Sequence, residues 1–317
     1  MNLTAINRRG LFALSAAACG WALTGPTARA ETGERGPLWL SGYATNDAEP
    51  RFGVAAFDAA GKVVFACPLP GRMHGAAAHP QGSHAVVMAR RPGRWFALVD
   101  LAGGRMIGEA VALPDDRRGT GHGVFNADAS LFFMAEDDSA KERGALALLD
   151  PKAGYQRVGE IADVGVGPHE VLALNGGAKG GGVLAVADGG VLTHPDTGRV
   201  KLNLDAMDPA LHYVDAASRR VIETARLPAD YNNLGVRHIA EGPRGAVFFG
   251  MQDERPSGGL QPLVGVHRRG SPPALLAAPD EAWRRLGGYV GSMACDGRIV
   301  AASSPRGGAV ATWDAET

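Results

Sequence analysis

Four of the chain's nine histidines recur at one position of a repeat: His74 in RMHGAAAHP, His122 in GTGHGVFNADAS, His169 in VGPHEVLALN and His238 in VRHIAEGPRG. The intervals between them are 48, 47 and 69 residues. A period in the forties made of short apolar runs predicts an all-β propeller of repeated blades, and the long third interval predicts one insertion. A repeat that starts its first strand with the same polar residue gathers the copies of that residue around one axis.

The rest of each repeat agrees. After the histidine come a short apolar strand, a turn (HPQGS, NADAS, NGGAKGGG, EGPRG, ACDGR) and a second strand, AVVMAR, LFFMAE, VLAVAD, AVFFGM or IVAASS. These second strands are apolar throughout instead of alternating, as expected of strands covered on both faces. A third strand ends in an aspartate turn, at Asp58, Asp100, Asp150, Asp215 and Asp314. Such a carboxylate accepts from backbone N–H groups just ahead and starts a hairpin.

Glycine supplies 45 of 317 residues, about twice the usual share of roughly 7%, and tight turns absorb it. Only Asp280–Leu286 (DEAWRRL) reads as a short helix. No linker interrupts the repeats from Trp39 onward, so residues 31–317 read as one propeller domain of six or seven blades.

Residues 1–30 stand apart as a twin-arginine signal peptide. Arg8 and Arg9 precede a weakly hydrophobic run to about Leu23, and Ala28-Arg29-Ala30 is a small-x-small cleavage site. Export by that route predicts a periplasmic protein. Removing the leader takes away three arginines and no acid, moving the net charge from −1 to −4, a surface ill suited to nucleic acid. Cys67 and Cys295 remain, on an outer strand of the first blade and an inner strand of the sixth, and are not expected to pair. The absence of CxxCH and of paired CxxC excludes covalent c-type haem and a cysteine zinc site.

The insertion GGVLTHPDTGRVKLNLDAMDPALHYVD (Gly189–Asp215), with VGPHE (Val166–Glu170) and YVGSMA (Tyr289–Ala294), resembles the domain of unknown function family 1513. The resemblance implies a seven-bladed, twin-arginine-exported propeller, encoded near imelysin-like periplasmic proteins and di-haem oxidoreductases in settings of iron uptake. It carries over no catalytic residue. The sequence stops at Thr317, after the third strand of the sixth repeat, where relatives continue. That implies an open edge or a six-bladed closure through Leu38–Tyr43.

Histidine and carboxylate on neighbouring strands suit a divalent transition metal such as iron or copper. The predicted set is His74, His122, His169 and His238, with Glu170 beside His169 and Asp188 at the end of a second strand. Glu136, Asp137, Asp138, Asp253 and Glu254 close other second strands on the same face, and the insertion, with His194, Asp196 and Asp208, leaves from that face as a lid. Histidines in this position also serve as blade-to-blade hydrogen bonders. Arg72 and Arg237, next to ring histidines, favour an anionic ligand or chelate over a bare cation. His79, His84, His212 and His267 have no counterparts in the repeat and read as surface or core residues.

Two functions follow. The first is a binding or accessory protein of iron acquisition, partnered by imelysin-like proteins and with no integral membrane span after processing. The second is an enzyme using the same site, a metal-dependent lactonase or a cofactor-containing oxidoreductase. No G-x-S-x-G turn is present, and the five tryptophans form no docking repeat for a quinone cofactor.

Overall fold

In the computed structural model, residues 2–5, 36–174, 182–198, 200–255 and 260–316 are described. Arg8, Arg9, the Ala28–Ala30 site and most of the NGGAKGGG turn lie outside the described residues. The chain forms six antiparallel sheets in sequence order. The first has three strands, Trp39–Ala44, Phe52–Phe57 and Val63–Leu69. The second to fifth each have four, starting from the inner strands Met73–Ala78, Arg117–Phe125, Pro168–Ala173 and Leu234–Glu241. The sixth comprises Ser292–Cys295, Ile299–Ser304 and Ala309–Asp314. Each of these inner strands packs against the next, which arranges the sheets radially around the line the histidines share.

The second strands are the core, as their composition requires. Ala85–Ala89, Phe132–Ala135, Leu184–Ala187 and Val247–Phe249 are buried throughout, each layered between its own sheet and a neighbour. Outer strands alternate or face solvent, as in Arg105–Ala112. The five aspartate turns form as expected, with Asp58, Asp100, Asp150, Asp215 and Asp314 each accepting from a backbone N–H two or three residues ahead. The helix spans Asp280–Leu286, ends at left-handed Gly287, and buries Ala282, Trp283 and Leu286. Cys67 and Cys295 are unpaired, and among the described residues no helix is long and apolar enough to cross a membrane.

One expectation is corrected. Trp39–Ala44 does not close the sixth sheet; it makes a local hairpin with Phe52–Phe57. Thr45 and Arg51 clamp the short connection, Thr45 N–H to Arg51 O at 2.9 Å and Arg51 N–H to Thr45 Oγ1 at 2.9 Å, and a short loop costs little closure entropy. The outer edge of the sixth sheet pairs instead with Asn2–Ala5, antiparallel to Ala309–Thr312.

These layers predict a sharp contrast in stability. Phe132 is fully buried against Phe125, with ring centroids 4.8 Å apart. Phe132→Ala should cost about 3–5 kcal/mol, whereas Asp58→Ala in an exposed turn should cost about 1 kcal/mol. Urea unfolding of both variants measures the difference.

Candidate functional site

Four inner strands are irregular where they carry their histidine. On the second sheet the pairing steps from Met73 to Gly75 while the partner moves one residue, leaving His74 as the extra one. On the third, Gly119 to Gly123 faces only Glu136 to Met134, so the stretch holding Thr120, Gly121 and His122 is in excess. On the fourth, Pro168 to Val171 faces Asp188 to Val186, which bulges the strand at His169 and Glu170. On the fifth, Arg237 is extra, directly before His238. A bulge bends its strand and re-aims the adjoining side chain, and all four converge here.

The result is a compact cluster. Ring centroids of His74, His122 and His169 lie 4.8, 4.8 and 5.3 Å apart. His238 sits 5.0 Å from His169 and 5.6 Å from His122. The four rings therefore form two triangles sharing the His122–His169 edge. Two glycines make the approach possible. At Gly121, with φ +99°, a Cβ would fall 2.4 Å from the His74 ring, and at Gly75 one would fall 2.5 Å from Gly121 O. Any larger residue at Gly121 meets both backbone strain and a collision.

Glu170 links the cluster across two sheets. It accepts from His238 Nδ1 at 3.1 Å and from Ile239 N–H at 2.9 Å, while its other oxygen lies 3.8 Å from His122 Nδ1. Donation through Nδ1 leaves the His238 Nε2 lone pair free, the arrangement in which a carboxylate orients a ligating imidazole. Thr120 Oγ1 lies 3.1 Å from both Ala135 O and His169 O, donating to one at a time and joining the third sheet to the fourth. Two ring nitrogens have no such partner: His122 Nε2 and His169 Nδ1 are buried without a hydrogen bond.

Burial favours the neutral form of the innermost rings. Burial is the main cause that pushes the His122 imidazole down to about 4, with Glu170 opposing and His238 assisting. His169 is likewise held well below the ordinary histidine range, first by burial and then by neighbouring histidines and Arg237; His74 is shifted the same way, by desolvation among the surrounding strands and then by His122, His238, Arg90 and Arg91, although its side chain is open to solvent on one side. For Glu170 burial raises the carboxyl, but the His238 hydrogen bond, the nearby His122 and His238 rings and the Ile239 N–H outweigh it and leave the group below its usual value.

The other expected acids do not face the cluster. Asp188 is buried, and its oxygens accept from Val166 N–H (3.1 Å) and Gly190 N–H (3.0 Å) and lie 3.5 Å from His212 Nε2. Left-handed Gly165 leaves room for it, since a Cβ there would fall 1.9 Å from Asp188 Oδ2. Glu136 pairs with Arg117 at 3.2 Å and Arg157 at 2.6 Å, Asp138 with Arg117 at 2.7 Å and Arg143 at 3.4 Å, Asp137 with Arg118 at 2.7 Å, Glu254 with Arg237 at 2.8 Å, and Asp253 with Arg255 at 3.0 Å. Arg117, Arg118, Arg237 and Arg255 lie near the starts of inner strands or just after second strands. Of these only Arg237, beside His238, stood out in the sequence; the spacing of Arg117, Arg118 and Arg255 follows no repeat.

His79, His84, His212 and His267 play structural parts. His267 bonds Tyr213 Oη at 2.7 Å and Ser271 O at 2.7 Å, His212 bonds Thr224 Oγ1 at 3.0 Å, and His84 stacks on His79 and bonds Tyr155 Oη. The insertion lies over the end of the axis where the second strands finish. Arg118 of the third sheet donates to the carbonyl (3.2 Å) and hydroxyl of Thr193, Arg91 of the second sheet to that hydroxyl (3.4 Å), and Lys201 pairs with Glu254 of the fifth. His194 stays on the insertion beside Asp196, 3.5 Å away, and Asp208 pairs with Arg226 at 2.8 Å; neither residue joins the cluster.

A family described as "Protein of unknown function (DUF1513)" matches residues 67–317. The chain belongs to the DUF1513 family. No curated protein matches it. Hydrazine synthase of Kuenenia stuttgartiensis is similar at 13% identity and a TM-score of 0.59, over 84% of this chain and 80% of that one. The Cps50 (Swd1) beta-propeller domain of Myceliophteria thermophila is similar at 14% and 0.57, over 84% and 79%. Raptor of Chaetomium thermophilum is similar at 11% and 0.53, over 92% of this chain and 25% of that one. At these identities the likeness concerns the fold alone, and it makes this DUF1513 chain propeller-like.

The depressed basicity of His122 has a measurable consequence. Between pH 6.5 and about 4 the unfolded chain takes up a proton at this residue that the folded chain refuses. Stability should therefore fall as pH drops through that window and level off below it, by on the order of 3 kcal/mol from this group. Urea unfolding across pH should show a flatter curve for His122→Asn than for the unaltered protein; parallel curves would place the titration elsewhere.

Proposed function

We propose that the four-histidine cluster of this DUF1513 protein binds a divalent transition metal, and that the protein acts as a binding or accessory factor for that metal. The observation that carries the reading is the pair of buried, unpartnered nitrogens, His122 Nε2 and His169 Nδ1. A buried polar atom without a partner is costly, on the order of 1–3 kcal/mol, and a metal coordinated by the lone pair of neutral imidazole relieves that cost. One ring nitrogen each of His74, His122 and His169 lies within 4.8 Å of the others. Metal–imidazole bonds of about 2.0–2.1 Å draw such a set inward by roughly an ångström, which side-chain rotation supplies.

An all-imidazole set suits zinc, copper, iron or nickel. Glu170 fits the outer position, orienting His238 and compensating part of the positive charge. His238 would provide a fourth nitrogen or leave that position to a ligand from outside. Within that set the family resemblance speaks for iron, with imelysin-like periplasmic proteins as partners.

Metal supplied at about 100 times its dissociation constant should raise stability by roughly 2.7 kcal/mol. His122→Ala and His169→Ala should each abolish the rise in melting temperature. If iron, copper, zinc and nickel all leave the melting temperature of folded, metal-free protein unchanged at neutral pH, the histidines are blade-to-blade packing residues only.

The twin-arginine pair supports periplasmic residence. Changing Arg8 and Arg9 together to lysine should hold the protein in the cytoplasm, and mass spectrometry of the exported form should find an N-terminus near Glu31. Export of the double-lysine variant at the normal level would overturn that reading.

A further inference from the structure

The four histidines of the cluster are held in different ways. One ring nitrogen each of His74, His122 and His169 lies within 4.8 Å of the others, and two of these rings carry a buried nitrogen that meets no partner, His122 Nε2 and His169 Nδ1. His238 touches this set through His122 and His169, with ring centroids 5.6 and 5.0 Å away. Among the described residues, neither of its nitrogens is a sealed atom without a partner.

The anchoring of His238 is also its own. Its Nδ1 donates to Glu170 Oε2 at 3.1 Å, and the same oxygen accepts from Ile239 N–H at 2.9 Å. The ring is thereby tied through a carboxylate to the backbone of its own strand, one residue on, and swinging it toward a metal would break both bonds. His122 has no such tether. Its Nδ1 lies 3.8 Å from Glu170 Oε1, beyond hydrogen-bond reach, so that ring can turn its unpartnered Nε2 to a metal. The remaining member of the set, His74, is exposed, whereas His122 is half-buried and His169 buried. A metal held by three such rings has a side open to water, and three protein ligands with an open fourth position distinguish a site that takes ligands from a closed structural one.

We propose that a metal at this cluster is held by His74, His122 and His169 alone, and that its remaining position takes a small protic oxygen ligand, water or bicarbonate, whose hydrogen His238 accepts at Nε2. The inference rests on the metal reading above and divides the work of its histidines. Donation from Nδ1 to Glu170 fixes the tautomer in which Nε2 is an acceptor. Glu170 is then the positioning residue, and His238 selects ligands that carry a hydrogen over those that do not. With rings 5.0–5.6 Å from His238, a ligand of a few atoms is what the space beside it suits.

Cobalt chloride is the probe metal, because its visible absorption reports the ligands around it, and bicarbonate and azide are the probe anions, one with an O–H and one without. Cobalt should bind the folded, metal-free protein, and each anion should change the spectrum of the bound metal. His238→Ala, checked for an unchanged melting temperature, should bind cobalt and azide as tightly as the unaltered protein does, and bicarbonate about ten-fold more weakly, the loss expected of one hydrogen bond to a charged ligand. His238→Gln, which keeps an acceptor, should recover part of that loss, and this variant also serves if the alanine variant does not fold. His122→Ala should lose cobalt. If the unaltered protein binds no cobalt, the metal reading falls and takes this one with it. If His238→Ala weakens cobalt as much as His122→Ala does, His238 is a fourth ligand; the division of roles falls and the metal reading stands. If neither anion alters the spectrum, or if bicarbonate and azide respond alike to His238→Ala, the protic ligand falls and the metal reading again stands.

Discussion

The pairing between the first and second strands of four sheets breaks at one place on each, and the organisation of the site depends on how those breaks are repaired. An interrupted ladder leaves backbone groups without their usual partners, a cost the fold meets with side chains. Glu170 of the fourth sheet takes the Ile239 N–H next to the bulge of the fifth, and Thr120 at the bulge of the third takes carbonyl oxygens of its own sheet or of the fourth. The repairs cross from sheet to sheet and tie the bulges of the third, fourth and fifth sheets together. The histidines sit where this mutual support is densest, which fixes their separations more firmly than a regular strand would.

Charge is arranged by the same economy of position. Acids that end the second strands meet arginines that begin the neighbouring inner strands, and Arg117 alone contacts Asp116, Glu136, Asp138 and Glu160. Breaking a buried pair of this kind by removing one partner typically costs 3–5 kcal/mol, so these contacts are structural commitments. What remains near the axis is a nearly neutral nest of imidazoles with one carboxylate, flanked on one side by arginines. Such a surrounding favours ligands that bring their own negative charge.

Much of the fold was legible because its signals repeat. The histidine period, the unbroken apolar second strands and the aspartate turns each occur several times, and the helix at Asp280–Leu286 carried its own pattern. The convergence of His74, His122, His169 and His238 followed from the same periodicity. Asp188 misled because a terminal carboxylate on a second strand reads alike whether it faces an axis or folds back onto Gly165 and His212. The bulges left no trace beyond glycines such as Gly75 and Gly121, and glycine is too common in this chain for those two to stand out. The edge pairing of Asn2–Ala5 was invisible for a different reason: a four-residue strand has almost no sequence signature, and its partner, Ala309–Asp314, lies at the other end of the chain.

The insertion of the fourth sheet is stitched by Thr193 and Lys201 to the second, third and fifth sheets. It therefore works as a strap across one rim, and the spread of four sheets at that rim is limited by a few polar stitches in a segment with little apolar core of its own. Hydrophobic layers set how the sheets stack, but girth at the rim is governed by hydrogen bonds and an ion pair that water and salt can reach. Loosening one stitch would relax several sheets together, so that ring diameter, and with it the grip of the histidines, becomes a shared property of the rim.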